Sequence, residues 1–427
     1  MADELAAVVM AAGIGTRMKS ATPKHLHPLL GRRMVDWVVD AARGSGAERI
    51  IVVVSPETSD LLDGVEVVVQ EEPLGTGDAV RRARGALEEF RGDVLVLNGD
   101  VPALRAETIR ALVETHRAAG AAATVLSFEP ENAGAYGRIV RDGAGRLARI
   151  AEAADASPDE LALGEVNSGI YVFKAQQLWP ALERLDAHNA QGELYVTDTL
   201  GLLVADGEAC AVQLADDPLE AEGVNTRVEL ALAAASIRDR INEAHMLAGV
   251  TIVDPATTWI EAGVEIEPDV VVHPFTVIRG AVRIEGSAEI GPFAYIRPVS
   301  VIGEGAKVGT FVEVKNTALG AGAKIPHLSY FGDADVGEGT NVGAGNITAN
   351  FPHVPGEPKR RTRIGRNVRT GVDNTFLAPV EIADDSWIAP GAVITDDVPP
   401  GSLAGFPARQ TTKEGWVYDK HGKPDGD

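Results

Sequence analysis

The sequence is poor in cysteine, in positive charge and in long apolar runs. Cys210 is the one cysteine in 427 residues. That excludes an intrachain disulfide and suits a reducing compartment. Lysine and arginine number 39 against 62 aspartates and glutamates, a formal net charge of −23. A chain so acidic lacks the basic face that nucleic acid needs, and an anionic membrane surface would repel it. No apolar run reaches the roughly 20 residues of a membrane span. The first residues, MADELAAVVM, have no basic region ahead of their apolar stretch. The expectation is therefore no signal peptide, no membrane partner and a cytoplasmic location. Hydrophobic residues at 45% and charged residues at 24% are ordinary for a globular protein, and the length predicts two or three domains.

What the chain does have begins at once. Leu5 to Met10 reads as a buried strand. It opens into Met10-Ala11-Ala12-Gly13-Ile14-Gly15-Thr16-Arg17-Met18, with Pro23-Lys24 shortly after. Glycines let backbone N–H groups approach phosphate oxygens, and Arg17 and Lys24 can offset the phosphate charge. The loop is not a P-loop, because Thr-Arg-Met stands where Gly-Lys-Ser/Thr is required. Nor is it a dinucleotide fingerprint, because Met18 holds the place of the third glycine. Glycines alone would read as a turn. The full string resembles the signature of sugar-1-phosphate nucleotidyltransferases.

Residues 1–225 alternate strands (50–55, 65–70, 94–97, 122–127, 168–173) with helices (34–42, 79–89, 107–119). This βαβ pattern predicts an α/β domain, Rossmann-like, with a mostly parallel sheet and helices on both faces. Residues 226–249 read as a linker helix, capped by Thr226 and ended by Gly249. Then the period becomes six. Ile260, Ile266, Val272, Ile278, Ile284, Ile290, Ile296, Ile302, Val308 and Val314 follow without a slip. Ile364, Thr370, Phe376, Ile382, Ile388 and Ile394 resume in a shifted phase, with a break between Gly320 and Arg363. A six-residue period predicts an all-β parallel β-helix of hexapeptide repeats over 250–409, and 410–427 reads as a tail. It resembles the hexapeptide acyltransferases, and the left hand of the helix comes from that resemblance.

Taken together, residues 5–416 resemble the family of bifunctional enzymes that join an N-acetylglucosamine-1-phosphate uridylyltransferase to a glucosamine-1-phosphate N-acetyltransferase. The resemblance implies UTP, acetyl-CoA and the two sugar phosphates as substrates, Mg²⁺ as cofactor, and a homotrimer. It implies UDP-N-acetylglucosamine synthesis, feeding bacterial cell-envelope construction. Nucleotide contacts fall on Met10, Ala11, Ala12, Gly13, Lys24, Gln70, Gly75, Thr76, Asn98, Gly99 and Asp100. Arg17 and Lys24 supply charge for in-line attack on the α-phosphorus. Asp100 and Asn225 fall on the Mg²⁺ ligands, two oxygen donors that suit an ion keeping several waters. Sugar contacts fall on Gly137, Glu152, Asn167 and Asn225.

In the β-helix, the implied acceptor contacts are Arg297, Lys315, Tyr330 and Asn341. His327 falls on the general base, whose ordinary pKa suits deprotonation of an attacking amine. Acetyl-CoA contacts fall on Ala344, Asn350, Phe351, Lys359, Val372, Pro390 and Arg409. Four departures stand out: Phe351 replaces a tyrosine, Val372 a serine and Pro390 an alanine, and Arg409 lies two places beyond the family's arginine. The loop before Lys359 is longer, and the β-helix is one or two coils shorter before Arg297. The rival reading is a nucleotidyltransferase whose β-helix is only a trimerisation or regulatory scaffold.

Overall fold

A computed structural model describes residues 4–421, apart from Ile14, Asp63, His353, Pro355, residues 406–409 and Thr411. Arg409 therefore lies outside the described residues. The chain divides into two compact units between Arg238 and Asp239, within the helix Arg227–Leu247. No helix of the described residues is long and apolar enough to cross a membrane.

The first unit is built on a mixed sheet. Leu5–Ala11 runs at its centre, parallel to Arg49–Val54 on one side and to Asp93–Asn98 on the other. Glu66–Val69 extends the first side in parallel. On the second side Val166–Lys174 is antiparallel to both Asp93–Asn98 and Ala123–Phe128, and Cys210–Leu214 closes the edge in parallel with the latter. The sequence pattern gave the parallel half and did not signal the antiparallel insertion.

Two cores flank the sheet because strand side chains alternate. Leu5, Ala7, Val9, Leu95 and Leu97 face one cluster, with Val35, Val38, Ile109 and Leu112 from helices Met34–Gly44 and Ala106–Ala118. Ala6, Val8, Val94 and Val96 face the other, with Val80 from Thr76–Arg82, Leu178 from Ala175–Leu182 and Leu200 from Thr197–Ala205. The predicted helix over 79–89 is shorter: it starts at Thr76, ends at Arg82, and a 3₁₀ turn follows at Gly85–Leu87.

The second unit is a parallel β-helix. Val271 pairs with Glu289 and Glu289 with Lys307, 18 residues per coil. Ile278, Ile284, Ile290, Ile296, Ile302, Val308 and Val314 stack inside, all buried. The expected break is not a break of the core. Lys324 pairs with Lys307, and Asn341 with Lys324, each only 17 residues on. One residue is dropped per coil, so Leu319, Ile325, Phe331, Val336 and Val342 carry the buried stack through the region. Among the described residues no strand lies between Ala349 and Thr362, and Arg369 stands 28 residues beyond its partner Asn341. Asn242 closes the first coil by donating to the Pro255 and Thr258 carbonyls at 3.0 and 2.9 Å. The segment read as a tail carries a short helix, Trp416–His421.

Candidate active sites

In the first unit two cavities open at the carboxyl ends of the central strands, where open α/β sheets bind ligands. The larger, about 930 Å³, gathers Met10, Thr76, Asn98, Asp100, Gly137, Glu152 and Asn167. The smaller, about 430 Å³, gathers Ala12, Gly13, Lys24 and Gln70. Arg17 and Asn225 line both. The residues read as sugar contacts thus share the larger cavity, while those read as nucleotide contacts divide between the two, Met10, Thr76, Asn98 and Asp100 in the larger and Ala12, Gly13, Lys24 and Gln70 in the smaller.

Local folding fixes each group. Arg138 is buried, and its guanidinium collects the Ala133, Gly134 and Tyr136 carbonyls, shaping the turn that presents Gly137. A Cβ on residue 137 would come within 3.0 Å of Ile150 and 3.4 Å of the Glu152 carboxylate. Glu152 accepts from Thr197 Oγ1 at 2.9 Å, and burial holds its pKa above the usual carboxylate range. Asn167 donates to the buried Tyr171 hydroxyl at 2.7 Å and accepts from Gly169 N–H at 2.9 Å. The Tyr136 hydroxyl, not named among the contacts read from the sequence, accepts from Gly223 N–H at 3.1 Å. Val224 N–H donates to the Asp100 carbonyl at 2.8 Å, so the segments of Asp100 and Asn225 are laced together. Nothing in the sequence flagged Thr197, because it lies 45 residues along the chain from Glu152, the residue it orients.

Four of the residues read as nucleotide contacts have partners within the fold. Gly75 was read as a nucleotide contact. A Cβ there would instead meet the Leu194 carbonyl at 2.5 Å, so the neighbour requiring glycine is backbone of this chain. Ala11 is buried in the sheet core, and Gly99 donates to the Met10 carbonyl at 2.8 Å; neither lines either of these two cavities. Gln70 was read as a nucleotide contact. Its Nε2 amide donates to Asp78 at 3.0 Å and to the Gly75 carbonyl at 3.1 Å, which leaves its carbonyl oxygen to accept from an imide N–H.

The donors also fit a divalent ion. Lys24 Nζ bonds to both Asp100 Oδ2 and, at 3.0 Å, Asn225 Oδ1, so two hard oxygens converge on a cation-sized place. Among the described residues no group of three or more His, Cys, Asp or Glu side chains could hold a metal. Two protein oxygens suit Mg²⁺, which takes its other ligands from phosphate and water.

In the β-helix the basic residues come together. Lys315 lies beside Lys359, and that ammonium, with burial, holds the Lys315 pKa below its ordinary value while Asp333 opposes the shift. Arg297 N–H donates to the Val314 carbonyl, one residue before Lys315, and its guanidinium bonds Glu313 at 2.9 Å. Lys359 was read as an acetyl-CoA contact; here its ammonium lies beside Lys315. Asn350 was read the same way, but its amide is spent on buried Asp333, which also accepts from Asn316 at 2.6 Å. Gly332 pairs with Lys315, and a Cβ on it would collide with the Tyr330 hydroxyl.

His327 is exposed, in register with Thr310. Asn341 is exposed on a different strand column, with Lys324 and Arg369. Asp373 N–H donates to the Ala344 carbonyl, Gly391 N–H to the Val372 carbonyl, and a Cβ on Gly371 would meet Pro390. Ala344, Val372 and Pro390 therefore climb one corner on successive coils, while Phe351 lies exposed in the inserted loop.

A phosphate-ready cleft on a mixed α/β sheet and a basic cluster on a hexapeptide β-helix define a nucleotidyltransferase and an acyltransferase in one chain. Residues 7–197 match the MobA-like NTP transferase domain. The chain is 47% identical to the bifunctional protein GlmU of Leifsonia xyli subsp. xyli, covering 98% of this chain and 94% of that protein. It is 44% identical to the protein of that name from Streptomyces coelicolor, over 97% and 94% of the two chains. For that of Pelobacter propionicus the identity is 41%, over 97% and 98%. The chain belongs to the GlmU family of bifunctional proteins.

Proposed function

We propose that the chain makes UDP-N-acetylglucosamine in two steps, each in its own unit. The β-helix transfers acetyl from acetyl-CoA to glucosamine-1-phosphate, and the first unit then joins N-acetylglucosamine-1-phosphate to UTP with release of pyrophosphate. The observation that carries the second step is the sharing of Arg17 and Asn225 by the two cavities. A sugar phosphate in the larger and a triphosphate in the smaller would bring their phosphates to those residues. Catalysis then needs positioning and charge stabilisation rather than a covalent enzyme intermediate. Gly137, Glu152 and Asn167 hold the sugar, Gln70 and the glycine loop hold the nucleotide, and Arg17 and Lys24 face the phosphates. Mg²⁺, held by Asp100 and Asn225, would supply further neutralisation of phosphate charge.

For acetyl transfer, Arg297, Lys315 and Lys359 hold the acceptor phosphate and His327 takes the amine proton. The exposed Phe275, Phe293 and Phe311 rings stack at 4.8 and 5.2 Å, and Leu328, next to His327, takes the following rung. That apolar ladder beside the proposed base supports a homotrimer with the acyl site between copies. The cytoplasm, where both nucleotide and thioester are made, is the proposed location.

The scaffold reading is disfavoured by the same cluster. A solenoid built for packing alone gains nothing from bringing Lys315 and Lys359 together. The test is product analysis: UTP and N-acetylglucosamine-1-phosphate should yield pyrophosphate and the nucleotide sugar in equal amounts. Hydrolysis of UTP without the nucleotide sugar would overturn it.

A further inference from the structure

We propose that Lys24 is an internal counter-cation, exchanged for the divalent metal when the triphosphate binds. The inference rests on the reading of Asp100 and Asn225 as metal ligands. Both of those oxygens are already bonded to the Lys24 ammonium, and Asn225 Oδ1 also accepts from Arg17 at 2.8 Å. The Lys24 and Asp100 side chains are only 15% and 19% exposed, so water screens the pair weakly. An ammonium bridging two oxygens and a divalent ion cannot share them, and like charges a few ångströms apart repel strongly.

The same two cations line the smaller cavity with Gly13 and Gln70. They therefore have a second destination, a triphosphate. Gly15 gives Lys24 its path: a Cβ on residue 15 would lie 2.5 Å from Lys24 Cβ, and residue 15 has φ +73°. The lysine stem thus lies directly on the glycine loop that would hold the phosphates. Phosphate oxygens drawing off Lys24 and Arg17 release Asp100 and Asn225 to the metal. Metal and nucleotide then tighten each other, and the coupling must be equal in both directions.

The experiment uses the full chain and Mn²⁺ as the probe, with free Mn²⁺ counted by electron paramagnetic resonance, with and without UTP. The parent protein should bind Mn²⁺ weakly alone and more tightly with UTP. Lys24→Met should raise nucleotide-free Mn²⁺ affinity by roughly tenfold or more and shrink the tightening caused by UTP. Lys24→Gln should do the same, and Lys24→Arg, which keeps the charge, should stay near the parent. Adding Asp100→Asn to Lys24→Met should remove the gain. If Asp100→Asn weakens Mn²⁺ binding but neither neutral variant strengthens it, the exchange is wrong and the metal site stands. If Asp100→Asn changes Mn²⁺ binding in no state, the metal reading itself fails.

Discussion

Gly169 makes room for the amide of Asn98. A Cβ on residue 169 would collide with Asn98 Nδ2, and residue 169 has φ +78°, a conformation that side chains resist. Asn98 lines the larger cavity next to Asp100. Gly169→Ala is therefore expected to displace Asn98 and lower nucleotide-sugar formation by roughly tenfold or more, since small misplacements of contacts are costly. Acetyl transfer should be unchanged. A Gly169→Ala protein with parental uridylyl transfer would remove Asn98 from the proposed contacts.

His327→Ala is expected to abolish acetyl transfer and leave uridylyl transfer intact. The side chain is exposed, so its loss opens no core cavity. Assaying both reactions on one preparation separates a chemical role from a structural one: loss of both would mean that His327 supports the fold.

Lys359→Ala tests where the inserted loop sends its charge. Its position beside Lys315 predicts a raised KM for glucosamine-1-phosphate, with the KM for acetyl-CoA little changed. The opposite pattern would return Lys359 to the thioester side.

His25 supplies a pH dependence. It is buried, and burial chiefly, with the charge of Lys24 and Arg33, lowers its pKa from 6.5 to about 4, against the opposing pull of Asp100. The unfolded chain therefore takes up a proton that the fold refuses between those values. The stability it contributes is complete above pH 6.5 and is lost as pH falls towards 4, on the order of 3 kcal/mol in all. Denaturant titrations of the parent and His25→Gln at pH 7 and pH 5 check this. His25→Gln should lose less stability on acidification; equal losses would exclude His25 as the source.

Much of this was legible in the residues because local patterns carry it. The apolar run Leu5–Met10, the glycine loop after it and the six-residue step from Ile260 to Val314 each need only neighbours in sequence to be read. What was missed depends on distant partners. The antiparallel Val166–Lys174 looks like any other buried strand. The β-helix looked broken after Gly320 because five-residue steps, from Val314 to Leu319 and from Phe331 to Val336, shift the phase while the stack continues. Gly75 was read towards a ligand, and only the fold sets Leu194 against it. Lys359 was read by its place in the chain, whereas the loop between Ala349 and Thr362 carries it back to Lys315. The cavities were found through motifs, and their supporting residues, Thr197, Tyr171, Arg138 and Gly169, came only with the tertiary structure.

The most direct test of two activities on one chain is thiol release from acetyl-CoA on adding glucosamine-1-phosphate, with no UTP present. The account predicts release that requires the sugar phosphate and vanishes in His327→Ala. No release, while pyrophosphate still forms from UTP and N-acetylglucosamine-1-phosphate, would contradict it and leave a uridylyltransferase on a β-helical support.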